Sequence, residues 1–181
     1  EKAYPGYYET AFSNGVKGCF TATKNMAVEQ FRFPSGSERI LSVDFASSFD
    51  GRGTRSGFDV VDDSCIEGWV ISPTACARGR YKLYFTLRTS CSFEVTAADN
   101  TSAVLDFGQN GKPVEVRIAI SPAGQAAARM AGQETVSGRS AKPQRHSGRK
   151  SWIRYRSMEV TRTRKSSSIR SYIRYISVRW T

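Results

Sequence analysis

Histidine is nearly absent from this chain of 181 residues, which contains one, His146. A hydrolytic triad needs a histidine as general base beside its nucleophile. His146 lies in a strongly cationic segment, where a neutral general base has no support. The sequence therefore argues against triad catalysis, and it identifies no catalytic residue.

Paired cysteine motifs are missing too. The four cysteines, Cys19, Cys65, Cys76 and Cys91, show no C-x-x-C spacing, which argues against a zinc site, and no metal ligand is predicted. Four cysteines allow three disulfide pairings, and their spacing does not choose among them. Cys76 lies in a predicted loop and is the best candidate for an exposed thiol.

Long apolar runs are missing as well. The longest, such as Trp69-Val70-Ile71, fall far short of the ~20 residues of a membrane span, so none is predicted. Gly51-Arg52-Gly53 lacks the third glycine and the following helix of a dinucleotide site. No signal peptide is seen, and a chain that starts without Met is expected to start inside a domain.

Acidic residues are scarce in only one part of the chain. Residues 1–122 hold 13 Lys+Arg and 14 Asp+Glu, a net charge of −1. Residues 123–181 hold 14 Lys+Arg and 2 Asp+Glu, a net charge of +12. The basic character of the whole chain therefore belongs to its last third, and the two parts require separate interpretations.

The first part is patterned as a series of short strands. Asn14-Gly15 between two such runs is a strong hairpin signal. Residues 27–33 alternate so that Glu29 shares a face with Phe31 and Phe33, and residues 39–45 alternate equally cleanly. About ten strands with turns every 8–12 residues predict an all-β fold, an antiparallel β-sandwich followed by an irregular basic tail.

Carboxylates are the groups that sugar hydrolysis requires, in pairs roughly 5–10 Å apart. Asp62 and Asp63 are adjacent and are expected to cap a turn rather than to act as such a pair. Asp44 is predicted near the mouth of a loop. The Ser/Gly-rich loop that follows, with Asp50, Arg52 and Arg55, is a candidate to face a ligand.

The basic tail has a competing interpretation. Arg and Lys interleaved with Trp and Tyr are typical of proteins that hold single-stranded nucleic acid. The tail nevertheless has no RNA-recognition signature, zinc knuckle or heptad repeat. Nucleic-acid binding is thus a third hypothesis, which predicts an affinity that falls steeply with salt and is lost when residues 123–181 are deleted.

An ordered series of blocks resembles the N-terminal domain of glycoside hydrolase family 92, the exo-acting α-mannosidases. The first blocks resemble the family's "E-x-A-x-P-G-Y-Y", "N-G-I" with "L-T-A-T", and "R-Y/F-x-F-P". Later blocks resemble "I-L-V-D", "I-x-G-Y", "x-V-Y-F" and "G-x-P-V-x-V-K-V-A-I-S". In this chain they are Glu1 to Glu9, Asn14 to Thr23, Phe31 to Pro34, Ile40 to Phe45, Ile66 to Trp69, Tyr81 to Phe85 and Gly111 to Ser121.

The resemblance covers residues 1–122 and implies a large, supersandwich-like β-sandwich. In the family this domain packs on an all-helical (α/α) toroid, with the active site and a calcium ion between them and inversion at the anomeric carbon. The catalytic carboxylates belong to the toroid, which this chain lacks. The chain is therefore expected to be catalytically incomplete and to bind no calcium itself, so whether it acts as an enzyme stays open.

The resemblance also implies partners and a site. Mannose-containing glycans, α-1,2-linked among them, and the missing C-terminal helical domain are the expected partners, in a secreted, periplasmic or cell-envelope setting. The loop Ser72 to Arg80 is expected to help wall the mannoside pocket, with Cys76 and Arg78 as the contacts. The alternative is a free-standing, non-catalytic carbohydrate-binding sandwich of the same fold.

The tail departs from the family pattern. Family members continue into helices, and residues 123–130 here are compatible with the start of one, but the rest is rich in Arg and Ser. We therefore divide the chain into a partial sandwich domain, 1–122, and a basic segment, 123–181. We expect the segment to be poorly ordered, and to include frame-shifted coding sequence, because a shifted frame does not encode an amphipathic core.

Overall fold

A computed structural model describes residues 1–47, 54–74 and 78–133. Those residues form eleven strands and one helix, so the predicted antiparallel β-sandwich is confirmed. The elements are β1 Lys2–Tyr4, β2 Tyr7–Ala11, β3 Lys17–Ala22, β4 Met26–Arg32, β5 Ile40–Asp44, β6 Arg55–Asp62, β7 Cys65–Pro73, β8 Arg80–Thr89, β9 Glu94–Ala98, β10 Ser102–Asp106, β11 Val114–Ser121 and α1 Gln125–Gly132.

The strands form two sheets of unequal size. The larger has eight strands in the order β1-β2-β3-β4-β11-β8-β7-β6, and the smaller has three in the order β5-β10-β9. Neighbouring strands run antiparallel throughout both sheets. The last strand, β11, therefore lies in the middle of the larger sheet, between β4 and β8.

The chain has two Asn-Gly turns, Asn14-Gly15 and Asn110-Gly111, and they connect strands in different ways. Gly15 adopts a φ of 84° in a tight connection between β2 and β3, where Phe12 N donates to Val16 O at 2.8 Å, as the hairpin signal predicts. Gly111 also has a positive φ, 67°. Its turn, however, leads from β10 in the smaller sheet to β11 in the larger one.

The core lies between the sheets and is largely aliphatic and aromatic. Phe45, which directly follows β5 of the smaller sheet, stacks on Phe85 of β8 with ring centroids 4.9 Å apart. Its ring centroid also lies 4.6 Å from that of Phe58 in β6. Alternate residues of each strand face the space between the sheets. We call the face of the larger sheet that borders this space its inner side. The buried members are Val16, Phe31, Leu41, Val43, Ile66, Phe85, Leu87, Phe93, Ala103, Leu105, Phe107, Val114 and Val116.

One charged side chain closes an end of this core. Arg39, 1% exposed, donates from Nε to Gly108 O at 2.9 Å and from Nη1 to Lys112 O at 3.1 Å. Its Nη2 donates to Phe107 O. The guanidinium thereby ties the start of β5 to the connection between β10 and β11, with carbonyl oxygens as its acceptors.

Helix α1 covers part of the opposite, outer side of the larger sheet. It lies over a row formed by Glu67, Thr86, Ala119 and Met26, which are directly opposite one another on four neighbouring strands. Ala128 and Ala131 are buried against this row. The helix begins where the sequence suggested one, inside the segment expected to be irregular. The rest of that segment, from residue 134, lies outside the described residues.

Candidate functional site

Several connections meet at the end of the sandwich where the chain leaves β11. The pairs Arg55↔Ile71 and Pro73↔Arg80 place the start of β6 and the β7–β8 loop side by side. Ser56 Oγ donates to Asn100 O at 3.1 Å, which brings the β9–β10 turn to the same end. We call this end the loop rim.

The predicted pocket loop belongs to the loop rim. Thr74 N donates to Gly79 O at 2.9 Å, which closes the loop between β7 and β8. Arg78 is an exposed residue of this loop. Cys76, the other predicted contact, lies outside the described residues, so the two are not shown together.

Carboxylates flagged in the sequence have structural partners. At the loop rim, Asp44 Oδ1 accepts from Ala46 N at 2.9 Å and from Ser47 N at 3.0 Å. At the opposite end, Asp62 Oδ1 accepts from the Ser64 hydroxyl and backbone N–H, both at 2.8 Å. Those bonds to Ser64 lower the pKa of Asp62. Asp62 therefore caps a turn, as expected, while Asp50 and Arg52 lie outside the described residues.

Sequence reasoning missed an aromatic cluster on the outer side of the larger sheet. Trp69 of β7 lies directly opposite Tyr84 of β8. Lys82 Nζ lies 4.9 Å from the Trp69 ring centroid and 4.6 Å from that of Tyr84. We call these three residues the outer aromatic cluster. The available signal was two outward-facing aromatics on consecutive strands, but their register is not readable from sequence.

Two buried glutamates differ in their surroundings. Glu29, 4% exposed, faces the inner side between Phe20 and Val116. Within the described ranges its Oε2 has no hydrogen-bond partner, and burial raises its pKa well above the ordinary value of 4.5. Glu67, 6% exposed, faces outward and accepts from Arg129 Nε at 2.7 Å and Nη2 at 2.6 Å. Those bonds lower the pKa of Glu67.

Neither glutamate belongs to a metal centre. In the part of the chain that the structure describes, no group of three or more His, Cys, Asp or Glu side chains is placed to hold an ion. The same residues include no helix long and apolar enough to cross a membrane. The loop rim and the outer aromatic cluster thus remain as the candidate surfaces for function.

The family of the chain is shown by its first 121 residues. Residues 1–121 match the glycosyl hydrolase family 92 N-terminal domain. The chain belongs to this family. The resemblance of the sequence blocks is therefore confirmed, and it covers the whole sandwich up to the last strand.

Solved structures of family 92 enzymes share the fold. An inverting mannosidase, BT2199 of Bacteroides thetaiotaomicron VPI-5482, is 22% identical with a TM-score of 0.61, covering 76% of this chain and 20% of its own. The α-mannosidase BT3965 of Bacteroides thetaiotaomicron is 19% identical with a TM-score of 0.53, covering 70% and 20%. This chain spans about a fifth of the length of these relatives.

A third structure, the family 92 glycosyl hydrolase ccman5, is 22% identical with a TM-score of 0.56 over 72% of this chain and 21% of its own. BT3965 has also been solved in complex with mannoimidazole. No curated protein sequence matches the chain. At these identities the likeness to solved structures shows the fold alone.

Proposed function

We propose that this chain is the N-terminal β-sandwich of an exo-acting α-mannosidase and that its loop rim helps wall the mannoside pocket. The observation that carries the proposal is the family 92 match over residues 1–121. Its structural relatives BT3965 and BT2199 are mannosidases, which supports the substrate class. α-1,2-linked mannosides are the proposed substrates.

The position of the loop rim supports the pocket role. Ser121, the last residue of β11, is opposite Tyr84, close to the start of β8 and so to the β7–β8 loop. A catalytic domain that follows this sandwich in sequence would start near that same end. Loops are where binding residues are usually placed on a rigid β scaffold.

Arg78 is the described residue best suited to contact substrate. The residue is exposed at the loop rim, and its guanidinium offers five N–H donors. Sugar hydroxyl oxygens accept such bonds, so Arg78 would orient a mannoside without taking part in proton transfer. Cys76 remains the second proposed contact.

The catalytic chemistry is proposed to reside outside this chain. Inversion at the anomeric carbon needs a general acid and a general base that flank the scissile bond with room for water. In the described residues no group of three or more His, Cys, Asp or Glu side chains is placed to hold an ion, so they do not fit the calcium that the family implies. Both are assigned to the helical domain, in a secreted or cell-envelope enzyme.

The deciding experiment begins with the gene. Sequencing past the codon for Thr181 in all three frames should reveal a helical domain in continuation with residues 1–122. The restored enzyme should hydrolyse α-1,2-mannobiose, release β-mannose first by NMR, and lose activity with a chelator until calcium is returned. Arg78→Ala should raise KM several-fold with kcat little changed.

Two results would overturn the proposal. A genuine stop codon after Thr181, with no helical domain encoded nearby, would favour the free-standing carbohydrate-binding sandwich. A restored enzyme without activity on any α-mannoside would remove the substrate class. The nucleic-acid hypothesis for the tail concerns residues outside the described part and keeps its own salt-dependence test.

A further inference from the structure

The outer aromatic cluster, Trp69, Tyr84 and Lys82, lies beside helix α1 on the larger sheet. We propose that it is a carbohydrate-binding surface that stacks a neutral hexose unit of a mannose glycan. The choice of mannose rests on the proposed function, whereas the site itself rests on the geometry of the cluster.

The arrangement of the two rings supports stacking. Trp69 lies between Gly57 and Tyr84 in the register of three neighbouring strands. A Cβ added at Gly57 would come within 3.0 Å of the indole Cε2 and Cζ2, so the indole leans over a position that has no side chain. Trp69 and Tyr84 are both half-buried, and the exposed Lys82 lies over both rings.

The polar groups of the cluster are hydrogen-bond donors. Among the described residues, no acceptor is recorded for the Trp69 indole N–H or the Tyr84 hydroxyl, and no carboxylate pairs with Lys82. A hexose combines a C–H face, which packs on an aromatic ring, with a rim of hydroxyl oxygens that accept hydrogen bonds. The cluster offers both complements within one patch.

Lys82 is a replaceable cover for these rings. Its side chain is exposed, and a cation held over aromatic rings at an exposed site is weakly bound. An incoming sugar can displace the ammonium to the edge of the patch, where it donates to hydroxyls. The cluster itself contains one cation, on a domain of net charge −1, and this does not suit the many phosphates of nucleic acid.

An NMR titration of the 181-residue chain with α-linked mannotriose tests the proposal. We expect saturable shifts with a Kd of about 1 mM, including the indole N–H signal that Trp69→Phe removes and so assigns. Trp69→Ala should weaken binding at least about tenfold, and Gly57→Ala should weaken it by displacing the indole. Tyr4→Ala, on the exposed far edge strand, should leave binding unchanged.

Circular dichroism and the thermal midpoint of each variant separate lost binding from lost folding. No saturation with either mannotriose or cellotriose up to about 20 mM, or unchanged binding in folded Trp69→Ala, would overturn the proposed surface. Parallel titration with cellotriose separates it from the proposed function. Binding of cellotriose alone, lost in Trp69→Ala, would keep the surface and overturn the mannose assignment.

Discussion

The inner and outer sides of the larger sheet bury one glutamate each, by different means. Glu29 on the inner side meets Phe20 and Val116 and has an unpartnered oxygen among the described residues. Glu67 on the outer side is held by both nitrogens of a bidentate arginine. At similar exposure, burial without a partner raises the pKa of Glu29, whereas the hydrogen bonds from Arg129 lower the pKa of Glu67.

The largest expected loss of stability comes from a substitution of Arg39, at the end of the core. Arg39→Leu removes the side chain that donates to three backbone carbonyls, and it leaves the carbonyl of the buried residue Phe107 without this donor. We expect it to cost about 3–5 kcal/mol, measured by urea unfolding. Arg39→Lys, which keeps the charge but not the fork of donors, should recover only part of that loss. A loss below about 1 kcal/mol would show that water replaces the guanidinium.

Gly68 and Gly57 compare the two sides by a single added methyl group. A Cβ at Gly68 points inward, 2.4 Å from Gly57 O and 2.7 Å from Phe85 Cζ, so backbone must move. We expect Gly68→Ala to cost about 2–3 kcal/mol, as overpacking of a core does. Gly57→Ala meets only the movable Trp69 side chain and should cost less. Equal losses in unfolding free energy would contradict this difference.

Glu29→Gln should make the protein more stable than wild type, by an amount that increases as pH rises. The raised pKa of Glu29 means that its contribution to stability is intact below the unfolded value, near 4.5, and is lost as pH rises through the folded value. Within that window stability falls by about 1.4 kcal/mol per pH unit, and the neutral amide removes this slope. Unfolding curves from pH 4 to 9 measure it, and parallel profiles for both proteins would refute the assignment.

Glu67→Gln should give the smallest effect, with the opposite pH dependence. The lowered pKa of Glu67 means that its contribution is present above about pH 4.5 and is lost as pH falls through the folded value. Because Arg129 is more than half exposed, the ion pair is screened, and we expect the thermal midpoint to fall by about 2–4 °C. The thermal midpoints of wild type and variant should differ at pH 7, and the difference should shrink at pH 3.

Alternation predicted most of the strands and the sides they present, but not the three-residue β1, Lys2–Tyr4. It placed Glu29 on one face with Phe31 and Phe33, and Phe31 is indeed buried in the core beside it. It could not assign partners to the strands, because period-2 patterning fixes a face and not a neighbour. The position of β11 between β4 and β8, and the contact of Trp69 with Tyr84, both depend on such partners.

The candidate site was less predictable than the fold. Arg78 was placed correctly on an exposed loop, and its role remains a prediction. Lys82 lies inside the block Tyr81 to Phe85, but its contact with two rings was not predicted, because that contact needs neighbouring strands in register. The pairing of Glu67 with Arg129 joins residues 62 apart, through a helix in a segment whose composition predicted irregular structure.

The central place of β11 has a consequence for synthesis of the chain. Until Val114–Ser121 emerges, β1 to β4 and β6 to β8 are separate pieces, and both β4 and β8 present an open edge. Contacts across such sequence separations form slowly, and unpaired edges favour aggregation. A nascent or truncated chain that ends before Val114 is therefore expected to need a chaperone, whereas eight further residues would close the sheet.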